Sequence, residues 1–125
     1  MQGTDAEANI RTLVFSFYDR VREDTLLGPV FEEHLRGGWD AHLDRMCDFW
    51  SSVLLGTGRF RGDPIGTHQR IPGLTSAHFD RWVLLFGETA AEVFPASEAA
   101  YVLERGSRIR AVLEHQTGSG ADQLT

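Results

Sequence analysis

An all-α fold of about four long helices joined by short pieces is predicted by three features of this 125-residue chain. Apolar residues recur at three- and four-residue steps through four separate stretches, no stretch alternates apolar with polar residues as a half-buried strand would, and glycine or proline falls between the stretches. The length suits a single domain over residues 1–125, with frayed ends near 1–5 and 117–125, and such a chain buries roughly two-thirds of the surface it exposes when unfolded. Its 42% hydrophobic and 24% charged residues are ordinary globular values, enough apolar surface to offset the conformational entropy that keeps polar chains disordered.

The first stripe is Ile10, Leu13, Val14, Phe17, Tyr18 and Val21, which share one helical face, with Thr4 and Glu7 in the Thr-x-x-Glu pattern of a capping box; this helix should end near Glu23 or Asp24. One or two helical turns follow over Leu27 to Leu35, opened by Gly28-Pro29 and closed by Gly37-Gly38, where glycine suits a left-handed cap. Asp40 is placed to cap a longer helix with apolar positions Leu43, Met46, Cys47, Trp50, Val53 and Leu54, which stops before Gly56. Between Gly56 and Gly73 the periodicity breaks, and Asp63-Pro64 offers a cap and first position for a short helix ending by Pro72. Two long stripes complete the chain: Phe79, Trp82, Val83, Phe86, Ala90 and Val93, then Val102, Ile109, Val112 and Leu113 after Pro95, with a gap at Gly106 and a small, polar tail from Gly118.

Charge and composition remove several classes of function. All cations are arginines, so no lysine is available for a Schiff base or a phosphate-binding loop, and a formal charge of -6 opposes binding to nucleic acid or anionic lipid. The longest apolar run, Trp82 to Phe86, is far short of the ~20 residues a helix needs to cross a bilayer. With a single cysteine, Cys47, and no signal-like start, the expected compartment is the cytoplasm, and Cys47 itself is expected to be a buried, inert thiol. No glutamate has histidine three residues on, and no histidine has another four residues on, so neither a di-iron carboxylate bundle nor a zinc protease helix is encoded.

What remains is a set of polar-tipped residues on inward faces. Tyr18 shares a face with Ile10 and Val14; His42 shares one with Met46, Phe49 and Trp50; Trp82 lies inside the most apolar stripe; His68 falls between Ile65 and Ile71 on the short proline-bounded helix. Each alone reads as a core residue with a satisfied polar tip. Together, four such groups from four segments point to a cavity holding something polar, because leaving each unsatisfied costs on the order of 1 to 3 kcal/mol. His34, His78 and His115 are expected at the surface.

The order of residues adds a resemblance. Phe17-Tyr18-Asp19-Arg20-Val21, Leu27-Gly28-Pro29-Val30-Phe31, Trp39 with His42, Phe49-Trp50, Leu54-Leu55-Gly56, Gly62-Asp63-Pro64, His68, and His78-Phe79-Asp80-Arg81-Trp82 with Leu85-Phe86 together resemble the truncated haemoglobins, group III most closely, over roughly residues 10–115. That resemblance implies a 2-over-2 helical sandwich around b-type haem, the iron held by His68 as proximal and sole metal ligand. It implies Tyr18, His42 and Trp82 as the catalytic, distal groups, with Met46, Phe49, Trp50, Phe31 and Ile71 among the haem-facing residues. An axial histidine leaves ferrous iron five-coordinate and open to a diatomic ligand, and the absence of Cys-x-x-Cys-His excludes covalent haem attachment. The donors expected to face the ligand are the Tyr18 O–H and the Trp82 N–H, with His42 a gate or secondary donor, neutral in the positive first turn of its helix. Arg45, three residues after His42, is placed to reach a haem propionate.

Such a chain is expected to bind O2, NO, CO or peroxide in nitric oxide or reactive-oxygen chemistry or in oxygen handling. Turnover as a nitric oxide dioxygenase or peroxidase would draw on a separate reductase, since 125 residues hold no reductase domain. A haem-based ligand sensor or interaction module without turnover is the alternative, and a monomer or weak dimer is the expected state.

Overall fold

The structure is a computed structural model that describes residues 3–62, 67, 71 and 73–123, with side chains described between Ala6 and His115. Among the described residues five helices follow in order: α1 (Gly3–Glu23), α2 (Leu27–Leu35), α3 (Trp39–Leu55), α4 (Ser76–Val93) and α5 (Ala96–Gln123). Four are long and one is short, no strand occurs among the described residues, and none of these helices is long and apolar enough to cross a membrane.

α1 forms because its apolar residues hold one face for five turns, and that face is the centre of the core: Ile10, Leu13, Val14, Phe17 and Val21 are all at most 1% exposed. Burying each large apolar side chain contributes roughly 1.5 to 3 kcal/mol, so this face decides where the other helices settle. α1 and α3 make one layer and α4 and α5 the other, with α1 packed on both α3 and α4, and α5 packed along α4. At the junction the rings of Trp50, Phe86 and Trp82 stack in series, Phe86 lying 4.8 Å from Trp50 and 5.1 Å from Trp82, while Phe17 meets both Trp82 and Phe86 edge-on. The gap in the last stripe has a packing cause. Gly106 is buried against Phe86, and a Cβ there would lie 2.5 Å from that ring.

The turn between α1 and α2 is held by Asp24, whose carboxylate accepts from the amides of Leu26 and Leu27 at 3.1 and 2.9 Å and from Arg81 of α4 at 2.5 Å. Gly28 is required there, since a Cβ would sit 2.9 Å from the Arg22 carbonyl oxygen.

Several expectations are corrected. Gly3 is already helical, so Thr4 is not the cap of α1, and the Glu7 carboxylate pairs with Arg59 at 2.6 Å instead of closing a capping box. α3 starts one residue before Asp40, with Gly38 at the cap position and the His42 amide bonded to the Gly38 carbonyl, so Asp40 is a first-turn acid and not the cap. The left-handed exit from α2 takes in Arg36, φ 49°, as well as the expected Gly37, φ 86°. The capping box that does form was not foreseen: Thr75 and His78 cap α4, the Thr75 amide donating to His78 Nδ1 at 3.1 Å. Val112, assigned to the apolar stripe, is 50% exposed, and the helical backbone of α5 continues past Gly118 to Gln123. The short helix expected over Asp63 to Pro72 falls mostly outside the described residues; of its positions Thr67 is helical.

Candidate functional site

The layers do not close completely on one another. Between them lies a cavity of about 320 Å³, within the size range of small-molecule and cofactor sites. Tyr18 of α1, Phe31 of α2, His42, Arg45, Met46, Phe49 and Trp50 of α3, Trp82 of α4 and Ile71 all line it, so the structure brings these sequence-predicted residues to one place. His68 lies outside the described residues; the residues flanking it that are described, Thr67 and Ile71, both line the cavity.

Helical spacing explains how α3 supplies one wall. His42, Met46, Phe49 and Trp50 fall at steps of four, three and one, so a single face presents an imidazole and then an unbroken apolar surface. Beyond it the chain is tied back on α3, the Ser52 hydroxyl accepting from the Phe60 amide at 3.0 Å, which seats the Phe60 ring edge-on to Phe49 at 5.1 Å and beneath the Arg45 guanidinium.

Polar groups gather at the α1–α3 side. Tyr18 is 4% exposed, and burial alone pushes its phenol pKa far up, so it stays a neutral O–H donor. Among the described residues that hydroxyl makes no hydrogen bond, and it belongs to a residue on the cavity wall. His42 packs edge-on to Tyr18 with ring centroids 4.9 Å apart. Trp82 is partly buried, stacked on Phe86, and carries an indole N–H. At the opposite wall Ile109 and Leu113 of α5 face the cavity, flanking Arg110, which is bound by Glu114 at 2.9 Å and by Asp80 at 2.5 Å.

Sequence reasoning missed Phe60, His78 and Arg110 as wall residues. His78 was expected at the surface but is half-buried, its ring serving both the α4 cap and the cavity. His34 is exposed and borders the cavity, and His115 is exposed as expected. Phe60 sits in the aperiodic glycine-rich stretch, where no spacing signal exists. Cys47 is 9% exposed, its thiol pushed up in pKa by burial despite an Arg11 guanidinium 3.9 Å away, which makes it a poor nucleophile.

A haem suits these residues: a flat, apolar ring needs walls of aromatic and aliphatic side chains, as Phe31, Met46, Phe49 and Trp50 provide, and its two carboxylates call for cations such as Arg45 on the lining. Two helical layers with such a cavity between them are the arrangement of the globins, a class of haem-binding proteins. The chain belongs to the bacterial-like globin family, whose model matches residues 3–111. It is 30% identical over 106 residues to a group 3 truncated haemoglobin of Campylobacter jejuni, covering 82% of this chain and 84% of that protein. The crystal structure of the group III truncated haemoglobin from Campylobacter jejuni superposes with a TM-score of 0.85 at 28% identity, covering 89% of this chain and 90% of the other. The 2-over-2 truncated-globin architecture expected from the resemblance is therefore the observed one.

Proposed function

We propose that this chain is a single-domain b-type haem protein that binds O2 and other diatomic ligands at a five-coordinate iron. The observation that carries the reading is Tyr18, a buried residue on the cavity wall beside His42 whose hydroxyl makes no hydrogen bond to a described residue. Haem, when bound, supplies an iron with one open position for a small ligand. His68 is the residue that would hold the metal, a reading supported by Thr67 and Ile71 bordering the cavity on either side of it in sequence.

The chain's own groups then divide the remaining work. Met46, Phe49, Trp50, Phe31 and Ile71 exclude water from the ring, and Arg45 neutralises a propionate at the rim. Tyr18 and Trp82 donate toward a polarised ligand, each such bond being worth about 1.5 to 3 kcal/mol when charge-assisted, and His42 gates the space or donates as a third group. Tight retention by several donors suits nitric oxide or peroxide chemistry with an external reductase better than bulk oxygen transport.

The proximal assignment is tested with His68→Gly. The variant is expected to lose the histidine-ligated ferrous spectrum and to regain it when imidazole is added. A spectrum unchanged by the substitution would move the axial ligand to another histidine, His42 first.

A further inference from the structure

Four rings, Tyr18, Phe31, Trp39 and His42, form a cluster in which every pair is in ring contact, with centroids between 4.9 and 6.2 Å apart. Three of them line the cavity. Trp39 does not: it stands behind the other three, 5% exposed, at the first position of α3. The only polar atom of its side chain, the indole Nε1, donates to Glu32 Oε1 of α2 at 2.9 Å, and the Arg22 guanidinium of α1 lies 4.6 Å from its ring centroid. Arg22 and Glu32 are themselves 3.9 Å apart, and both side chains are about half exposed. One indole therefore joins a surface ion pair, contributed by two helices, to the rings of the cavity's polar side.

We infer that Trp39 is a positioning residue for the ligand-facing groups, held in one orientation by the Glu32 hydrogen bond and the Arg22 guanidinium so that it backs Tyr18, Phe31 and His42 in the arrangement observed here. The physical reason is the shape of the cluster. An indole has two rotatable side-chain bonds, and a hydrogen bond at its edge together with a cation at its face fixes both. Because Trp39 stacks on Phe31 at 23° and meets Tyr18 and His42 edge-on, rotating it pushes on all three rings at once. Glu32 thus acts through Trp39, although it is exposed and does not line the cavity.

The inference rests on the reading of Tyr18 and His42 as ligand-facing groups, and its test separates the two. Glu32→Leu removes the acceptor and Glu32→Gln keeps an acceptor oxygen; both change an exposed side chain outside the apolar core. In the haem-free protein, the ring-proton NMR resonances of Tyr18 and His42 are expected to shift in Glu32→Leu and to stay near parental values in Glu32→Gln. In the ferrous carbon monoxide complex, the C–O stretching band is expected to shift or broaden in Glu32→Leu, with ligand release about two- to tenfold faster, and Glu32→Gln is expected to restore both. Unchanged ring resonances in Glu32→Leu would overturn the positioning role whether or not haem binds, and so would equal shifts in the Leu and Gln variants. A parental chain with no carbon monoxide band, but with shifted resonances in Glu32→Leu, would remove the haem reading and leave the positioning role standing.

Discussion

Tyr18 shows how one side chain can belong to the core and to a cavity wall at once. The helical face that buries Tyr18 with Ile10 and Val14 also places it on the cavity wall, where no hydrogen bond to a described residue engages its hydroxyl. Tyr18→Phe and Trp82→Phe are each expected to speed oxygen release, about tenfold for every 1.4 kcal/mol of lost donation, as measured by stopped-flow dissociation. Equal release rates in parent and variants would contradict the donor roles. Gly106 makes the opposite case, a residue whose lack of a side chain is the function. Phe86 is 1% exposed and locked between Trp50 and Trp82, so it cannot yield to a Cβ at 2.5 Å. Gly106→Ala is expected to be destabilising in urea unfolding, since overpacking costs about 1 to 3 kcal/mol against roughly 0.5 to 1 gained in helix propensity. Equal or higher stability would show that the rings give way. Tyr18, His42 and Trp82 were legible in the sequence because their helical spacing puts them among apolar residues. Phe60 and His78 were not, because the first is seated by a hydrogen bond to Ser52 and the second by a cap with Thr75, contacts that no periodicity records.

At the scale of elements, the corner around Asp24 ties α1, α2 and α4 together next to Trp82. The Asp24 side chain is 4% exposed. Burial pushes its pKa up, but the amides of Leu27 and Leu26 and the Arg81 guanidinium outweigh that, and the net direction is down. A carboxyl whose folded pKa is depressed stabilises the fold fully above its unfolded pKa and loses that contribution as pH falls through the folded one. Stability is therefore expected to decline as pH drops below the ordinary carboxylate range, and Asp24→Asn is expected to flatten that decline in urea unfolding measured across acid pH. A slope identical in the variant would contradict the assignment. Glu7 and Glu114, lowered by Arg59 and by Ser76 with Arg110, act in the same direction, so the slope should be reduced and not abolished. Helix bodies were legible here to a residue or two: the stop before Gly56, the break at Pro95 and the span from Leu27 to Leu35 all match. Helix starts were less so, because Thr4 and Asp40 carry cap chemistry but lie inside their helices, where geometry and not residue type decides.

For the whole molecule, the periodicity of each stretch yields helices but not their pairing, since a stripe says that a face is buried and not against what. The layer arrangement was legible through the resemblance to truncated haemoglobins, and the core explains it: Phe17 meets Trp82 and Phe86 across the two layers, and α5 can lie close to α4 because Gly106 admits Phe86. The same arrangement leaves the cavity, so the fold and the site are one feature and the bound cofactor should stabilise both. A ligand at 100 times its Kd adds about 2.7 kcal/mol to the folded state, and hemin is expected to raise the melting temperature accordingly. The most direct measurement is an absorption spectrum of the purified chain titrated with hemin, then reduced and exposed in turn to oxygen and carbon monoxide. The account expects a saturable Soret band that shifts with each gas. No band, with hemin leaving the melting temperature unchanged, would contradict it.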